Sequence, residues 1–469
     1  VDLSLQRRLK PSAPVSGVSD LTASTEHDLR AMTRDGVFFC GMVGLGESYI
    51  PAFAIAIGLG DVATGLLATG PMLVGACLQL VTPLGVRMFG SYRTWVVWCA
   101  RFQALSFIPL VVGAFVGRID MLWLAFATVA YWTAGMSAGP AWNAWVTSLV
   151  PDRIRETFFA RRTRAAHASL LVALVFGGLS LELGRRYDFE LAVFGVLFVG
   201  ALAARLISAE YLASQSERPG LLSEHRSLGP AATWLRLREA GSLRVLQYLL
   251  VMQVVTNIAA PYFTPYMLNR LELSYGEFMG LIAASFLARV AILPRLGRIA
   301  RDESARRLLW LGGLGIVPLP ILWLVSDSFV YLLFIQLVAG CAWAAIELAT
   351  TLSFFEGIAE ADRASVLSVF NLANALATVA GALVGAALLT HFETSSHLYA
   401  WLFAASTLGR LLAASLLSRT PTATRVDPAF QMRTLAVRPS GVAVQRPILA
   451  SIGSQASESP VPHGHDEEV

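Results

Sequence analysis

The stretch Leu191-Ala192-Val193-Phe194-Gly195-Val196-Leu197-Phe198-Val199-Gly200-Ala201-Leu202-Ala203-Ala204-Arg205-Leu206-Ile207 decides the architecture. Arg205 is its only charge, and it lacks the strict alternation of a barrel strand. About twenty apolar residues are what a helix needs to cross a bilayer. Backbone polar groups in lipid must be satisfied internally, so such a run spans as a helix. Working outward, similar runs place spans at 35–57, 62–84, 94–116, 121–149, 164–184 and 191–212, then 243–268, 276–294, 308–326, 329–352, 364–390 and 398–418. Composition agrees. Hydrophobic residues make up 55%, charged residues only 14%, and mean hydropathy is +0.59. Soluble domains carry about 25% charge. The fold class expected is an all-α membrane protein of twelve transmembrane helices.

The spans divide into two sets of six. A cytoplasmic tail, 1–33, precedes a first bundle, 34–212; a polar cytoplasmic linker, 213–242, leads to a second bundle, 243–418. A Pro/Ser/Thr-rich tail, 419–469, reads as disordered and cytoplasmic. Arginine placement sets the orientation. With the N-terminus in the cytoplasm, only Arg118, Arg185, Arg186 and Arg270 fall on outer loops, and Arg101, Arg205, Arg289 and Arg410 lie inside spans. The remaining basic residues go to cytoplasmic segments, so the positive-inside rule puts both termini inside. The net charge of +4 is spread between spans rather than along one stripe, which argues against nucleic acid. Cys40, Cys77, Cys99 and Cys341 all fall in spans and form no CxxC pair, so buried free thiols are expected, with no disulfide or zinc site. The first 33 residues show no cleavable signal peptide.

The halves repeat one another. Ser48-Tyr49-Ile50-Pro51 in span 1 matches Pro261-Tyr262-Phe263-Thr264-Pro265 in span 7; Arg87, Gly90 and Arg93 before span 3 match Arg301, Ser304 and Arg307 before span 9. Phe198 and Arg205 in span 6 match Phe403 and Arg410 in span 12. Parallel repeats of six helices are one of the architectures of secondary transporters.

A longer stretch closes span 4 and enters span 5. It reads Gly139-Pro140-Ala141-Trp142-Asn143-Ala144-Trp145, then Leu149-Val150-Pro151-Asp152-Arg153-Ile154-Arg155, then Phe158-Phe159-Ala160-Arg161-Arg162. The second half carries Glu360-Ala361-Asp362-Arg363-Ala364, followed by Asn371 and Asn374. On these residues the chain, over 35–418, resembles the major facilitator superfamily, and in particular bacterial members without assigned substrates. The resemblance implies two pseudo-symmetric six-helix bundles, a solute path between them and residence in a bacterial inner membrane. It also implies gating loops built on Arg87, Gly90, Arg93, Asp152, Arg153, Arg155, Arg301, Arg307, Asp362 and Arg363. The chain departs from the family in that loop. Pro83 replaces its first glycine and Arg87 its aspartate, Arg301 replaces the second aspartate, and Tyr131 stands where proton-drug antiporters carry an arginine. The usual charge clasp is therefore expected to be altered, and neither drug antiport nor sugar uptake is implied.

Ionisable groups inside a membrane mark function by default. Glu47, near the centre of span 1, is the first candidate, for a proton or a cationic substrate group. Arg289 in span 8 and Glu347 in span 10 lie at similar depth on neighbouring helices and are expected to pair, either as structure or as part of the site. Arg205 and Arg410, near cytoplasmic ends, are expected to snorkel to the interface, and Arg101 to pair with a neighbouring helix. Tyr49, Gln79, Trp132, Asn143, Gln253, Asn257, Tyr262, Tyr266, Asn371 and Asn374 form a polar and aromatic set for the cavity, with interhelical hydrogen bonding as the alternative. Gly381 and Gly385 form a small-xxx-small packing pattern. Lys10 is the sole lysine, which excludes a Walker-type ATPase site, and neither HExxH nor GxSxG occurs. The expectation is a monomeric secondary active transporter of a small molecule, not an enzyme, needing no cofactor or metal. Its partners would be the lipid bilayer, the substrate and protons taken up at Glu47. The alternative is a non-transporting sensor, assembly factor or scaffold that keeps the fold.

Overall fold

The computed structural model describes residues 17–218, 243–302, 305–357, 363–392 and 397–419, and every element among them is helical. Twelve apolar helices follow in order: α1 (Ser24–Ala56), α2 (Asp61–Gln79), α3 (Tyr92–Val116), α4 (Met121–Val146), α5 (Arg161–Arg186), α6 (Glu190–Ala213), α7 (Val245–Arg270), α8 (Tyr275–Ile299), α9 (Arg307–Leu322), α10 (Phe329–Thr350), α11 (Val369–His391) and α12 (Leu398–Leu417). Eleven are long and apolar enough to cross a membrane; α9 is shorter. Most of the expected tail linker, Asp362 and the C-terminal tail lie outside the described residues.

Local chemistry sets the helix ends. Ser91 caps α3 by accepting from the Thr94 N–H, and Asp120 caps α4 by accepting from the Leu122 N–H. Span 2 stops at Gln79, short of the expected residue 84. A separate helix, Thr82–Phe89, follows and ends at Gly90, whose φ of 66° suits glycine. The first helix reaches back into the expected tail, 1–33, and Asp28, Ala31 and Met32 are buried.

Prolines break three helices. In α1, Pro51 cannot donate to the Glu47 carbonyl one turn back, and Glu47–Tyr49 forms a 3-10 turn. Ala260–Tyr262 makes the matching turn in α7, around Pro261. In α9, Pro318 and Pro320 separate Ala305–Gly315 from Leu319–Leu322.

Helices α1–α6 pack as one half and α7–α12 as the other. The halves meet where α2 packs on α11 and α5 on α8. Glycines permit the approach: a side chain on Gly65 of α2 would strike the Tyr262 ring, and one on Gly178 of α5 would strike Met279 of α8.

Candidate functional site

Glu47 sits at the break in α1 and is 3% exposed. Its carboxylate accepts a hydrogen bond from the Tyr131 hydroxyl of α4. That hydroxyl also lies 3.4 Å from the Met42 sulfur. Phe107 of α3 stands edge-on to Tyr131, and Gly46 lies tight against Phe107 and Ala201 of α6. Glu47 is thus enclosed by the first half, with Tyr131 as its hydroxyl partner.

Tyr49 and Tyr262 occupy equivalent places in the two breaks. The Tyr49 hydroxyl donates to the Leu174 carbonyl of α5 at 2.5 Å, and its ring lies over Gly177. The Tyr262 hydroxyl donates to the Ala382 carbonyl of α11 at 2.6 Å, and its ring lies over Gly385. The glycine follows the accepting carbonyl by three residues in both cases. Each tyrosine pins a broken helix to its neighbour. Tyr266 likewise donates to the Trp323 carbonyl at 3.3 Å. These three hydroxyls are engaged within their own halves.

Arg289 and Glu347 form an ion pair, Nη1 to Oε2 at 3.1 Å, with side chains 15% and 25% exposed. The two helices pack together, and the expected pair meets on their facing sides. His167 of α5, which the reading of the spans passed over, stands edge-on to Phe286, 4.9 Å between ring centres and one turn from Arg289. Any ionisable residue inside a span is a candidate by the rule applied to Glu47; His167 met that rule. Asn143, Asn371 and Asn374 are half-buried. Asn257 is buried and donates to the Gln253 carbonyl of its own helix at 2.8 Å. Gln253 donates to the Thr378 hydroxyl of α11 at 2.9 Å.

The expected snorkelling of Arg205 and Arg410 is not observed. Arg205 is fully buried. It donates from Nε to Gln103 at 2.8 Å and from Nη1 to Ser208 at 2.6 Å, with Phe39 beneath its guanidinium. Ser208 in turn donates to Asp35 at 2.7 Å, and Asp35 pairs with Arg162, which rests on the Trp142 ring. Arg410 donates to the Ile316 carbonyl at 2.7 Å. Pro320, one turn on, has no N–H to give that carbonyl, so the guanidinium replaces the missing donor. Both arginines face inward because polar partners there offset their burial. Arg101 pairs with Glu210 of α6 at 2.9 Å on the exposed surface. Cys40 and Cys99 are buried free thiols, whereas Cys77 is exposed and Cys341 half-buried. Cys77 simply points off the outer face of α2.

The loop before α3 is clasped by Glu217 and Arg93, not by an aspartate of its own. Glu217, just past α6, accepts from the Tyr92 N–H at 2.7 Å and from the Ser91 hydroxyl. Arg93 donates to the Gln215 carbonyl at 3.1 Å. Asp28 accepts from the Ser216 N–H at 2.9 Å, and Trp145 donates to the Ser216 carbonyl at 2.8 Å. Arg87 and Arg307 are exposed. The side chains of Asp152, Arg153, Arg155, Arg301 and Arg363 lie outside the described residues, as does Asp362 altogether.

At the opposite end, side chains join the two halves. Asp61, at the start of α2, accepts from Asn269 of α7 at 2.7 Å and from the Tyr399 hydroxyl of α12. Glu190, at the start of α6, accepts from the Tyr275 hydroxyl of α8 at 3.1 Å. Both acceptors belong to the first half and all three donors to the second.

No family model and no curated protein matches the chain in sequence. Solved structures do match in shape. The nucleoside transporter NupG superposes with a TM-score of 0.65 at 11% identity, over 84% of this chain and 98% of that one. A bacterial homologue of the human lysosomal transporter Spinster, in an inward-facing and occupied conformation, gives 0.62 at 15% identity, over 87% and 99%. The major facilitator superfamily transporter FucP, in the outward conformation, gives 0.57 at 13% identity, over 84% and 98%. With two pseudo-symmetric six-helix halves, each with its first helix broken beside a proline and pinned by a matching tyrosine, this integral membrane protein has the fold of the major facilitator superfamily.

Proposed function

We propose that the chain is a secondary transporter that moves a small solute by alternating access. The observation that carries this reading is the set of clasps between the halves. At one end the two bundles are held by hydrogen bonds from Asn269, Tyr275 and Tyr399 to Asp61 and Glu190. Such contacts can break and re-form without repacking a core, as a rocking motion requires. By the arginine distribution that end is the outer one and both termini are cytoplasmic; a monomer in a bacterial plasma membrane is the assembly this reading takes. Asn371 and Asn374, half-buried and three apart on α11, and Arg289 are the polar groups proposed for the solute, with Asn143 on α4 as a further candidate.

Removing the Asp61 carboxylate tests the clasp. Asp61→Ala takes away the acceptor for two donors. Hydrogen bonds to charged groups contribute about 1.5–3 kcal/mol each when shielded from water. This acceptor is only half-buried, so the shift toward the outward-open state is expected at about 1–3 kcal/mol, roughly 5- to 150-fold. Spin labels at Arg118 and Asp327, exposed on turns of opposite halves at that end, report the distance. A longer-distance population should grow; an unchanged distribution would remove the clasp from the mechanism.

Glu47 is proposed to take up and release the coupling proton, with Tyr131 as its hydrogen-bond partner. A carboxylate buried in the membrane interior is costly when charged, so its proton affinity responds to small movements of its neighbours. Glu47→Gln fixes the neutral state. In proteoliposomes, accumulation driven by a proton gradient is expected to fall roughly tenfold or more, with solute exchange down its own gradient retained. Unchanged accumulation at every pH would reduce Glu47 to a structural bond with Tyr131.

A further inference from the structure

The Arg289–Glu347 ion pair and His167 lie where α5 of the first half meets α8 of the second. Phe286 and Arg289 are three residues apart and share one face of α8, and His167 packs edge-on against Phe286. Arg289 therefore lies one helical turn from the His167 contact, on the helix that α5 packs against. Arg162, also on α5, is already paired with the Asp35 carboxylate.

The Arg289 guanidinium is incompletely used. Nη1 meets one oxygen of Glu347 at 3.1 Å, and Nε is buried with no hydrogen-bond partner. A planar fork of N–H donors binds both oxygens of a carboxylate or phosphate, and a single contact leaves that capacity unfilled. A buried donor without an acceptor is costly, which favours an arrangement that supplies one. Glu347 is the more exposed member of the pair, so it is the one free to swing away.

We propose that this cluster binds an anionic group, a carboxylate or phosphate, on the transported solute. Arg289 grips the two oxygens, His167 donates from the facing half, and the ligand takes the place of Glu347. This rests on the transporter reading above. Because the donors come from both halves, the bound anion bridges them, and closure around it follows from the same contacts. Glu347 then acts as a resident competitor that occupies Arg289 when no solute is present.

The test uses the full-length protein in detergent and matched probes: uridine with uridine monophosphate, and glucose with gluconate and glucose phosphate. Thermal unfolding reports binding, and proteoliposome uptake reports transport. An acidic probe is expected to stabilise the protein where its neutral parent does not. Arg289→Lys keeps the charge but loses the fork, and should weaken that binding about tenfold or more. Glu347→Gln should tighten it, because the competitor is gone; a merely structural ion pair gives no such gain. The double variant Arg289→Gln/Glu347→Gln leaves no unpaired charge to disrupt folding, and should lose the acidic probes. If neutral parents bind as well as acids, or the double variant keeps the acids, the anion site is overturned and the transporter reading stands. If no acidic probe binds the wild-type protein, the anion site falls, and the transporter reading is judged apart from it by the Asp61→Ala distance measurement.

Discussion

Gly385→Val is expected to prevent stable assembly of the second half. Gly385 of α11 lies against the backbone of α7: a Cβ there would stand 2.2 Å from the Ile258 carbonyl and 2.5 Å from the Tyr262 ring. One turn earlier, a Cβ on Gly381 would stand 2.2 Å from the Val254 carbonyl. The two helices touch backbone to backbone along this seam, which is what a small-xxx-small pattern permits. A clash with a flexible side chain is relieved by a rotamer change, but a carbonyl on a helix moves only with the helix. Moving α7 away from α11 would also part the Tyr262 hydroxyl from the Ala382 carbonyl, now 2.6 Å away. Overpacking a core costs about 1–3 kcal/mol where neighbours can adjust, and occasionally more. Here they cannot, so the cost is expected at or above about 3 kcal/mol. Gly280→Val is the control, since a Cβ there meets only Phe329 at 3.7 Å. Size-exclusion profiles and unfolding temperatures of the purified proteins decide it. A monodisperse Gly385→Val protein with the wild-type unfolding temperature would show that the seam is looser than described.

The membrane architecture was legible because lipid imposes one rule on every span, and the rule is written in composition. The pairing of Arg289 with Glu347 was legible too, since depth follows from counting residues along neighbouring helices. Facing is not written so plainly. Tyr49 and Tyr262 stood out as a repeated feature, yet sequence alone could not show that each hydroxyl turns to a carbonyl of the next helix. Arg205 and Arg410 were read from depth alone, near the interface, where long side chains often snorkel. For Arg410 a clue was present: Pro320 leaves the Ile316 carbonyl without its helical donor, and a buried acceptor requires another. Asp35 and Asp61 were passed over because they fall at span edges, where a shift of two residues moves a charge from loop to core. Their partners are distant in the chain: Arg162 is 127 positions on from Asp35 and Tyr399 is 338 on from Asp61. Arg162 fell just outside the expected start of span 5 for the same reason.

Asp35→Leu is expected to destabilise the first half more than any single change in its polar groups. Asp35 is 1% exposed and holds two partners, the Arg162 guanidinium and the Ser208 hydroxyl. Through Ser208 it also faces the Arg205 guanidinium. One carboxylate therefore offsets two buried arginines across α1, α5 and α6. The arginines gain further support from the Trp142 and Phe39 rings, but a ring face contributes only about 0.5–2 kcal/mol. Removing one member of a buried ion pair costs about 3–5 kcal/mol, mostly from the charge left behind. Asp35→Asn keeps an acceptor for Ser208 and loses only the charge, so its effect should be smaller. Arg162→Met on the Asp35→Leu background removes one of the two stranded cations and should recover part of the loss. A double-mutant cycle on unfolding free energy reads the coupling directly, since contacting residues deviate from additivity. If Asp35→Leu and Arg162→Met act additively, the pair is not what holds α1 to α5. The stability of that junction would then rest on apolar packing and on the Arg162 bond to the Met32 carbonyl.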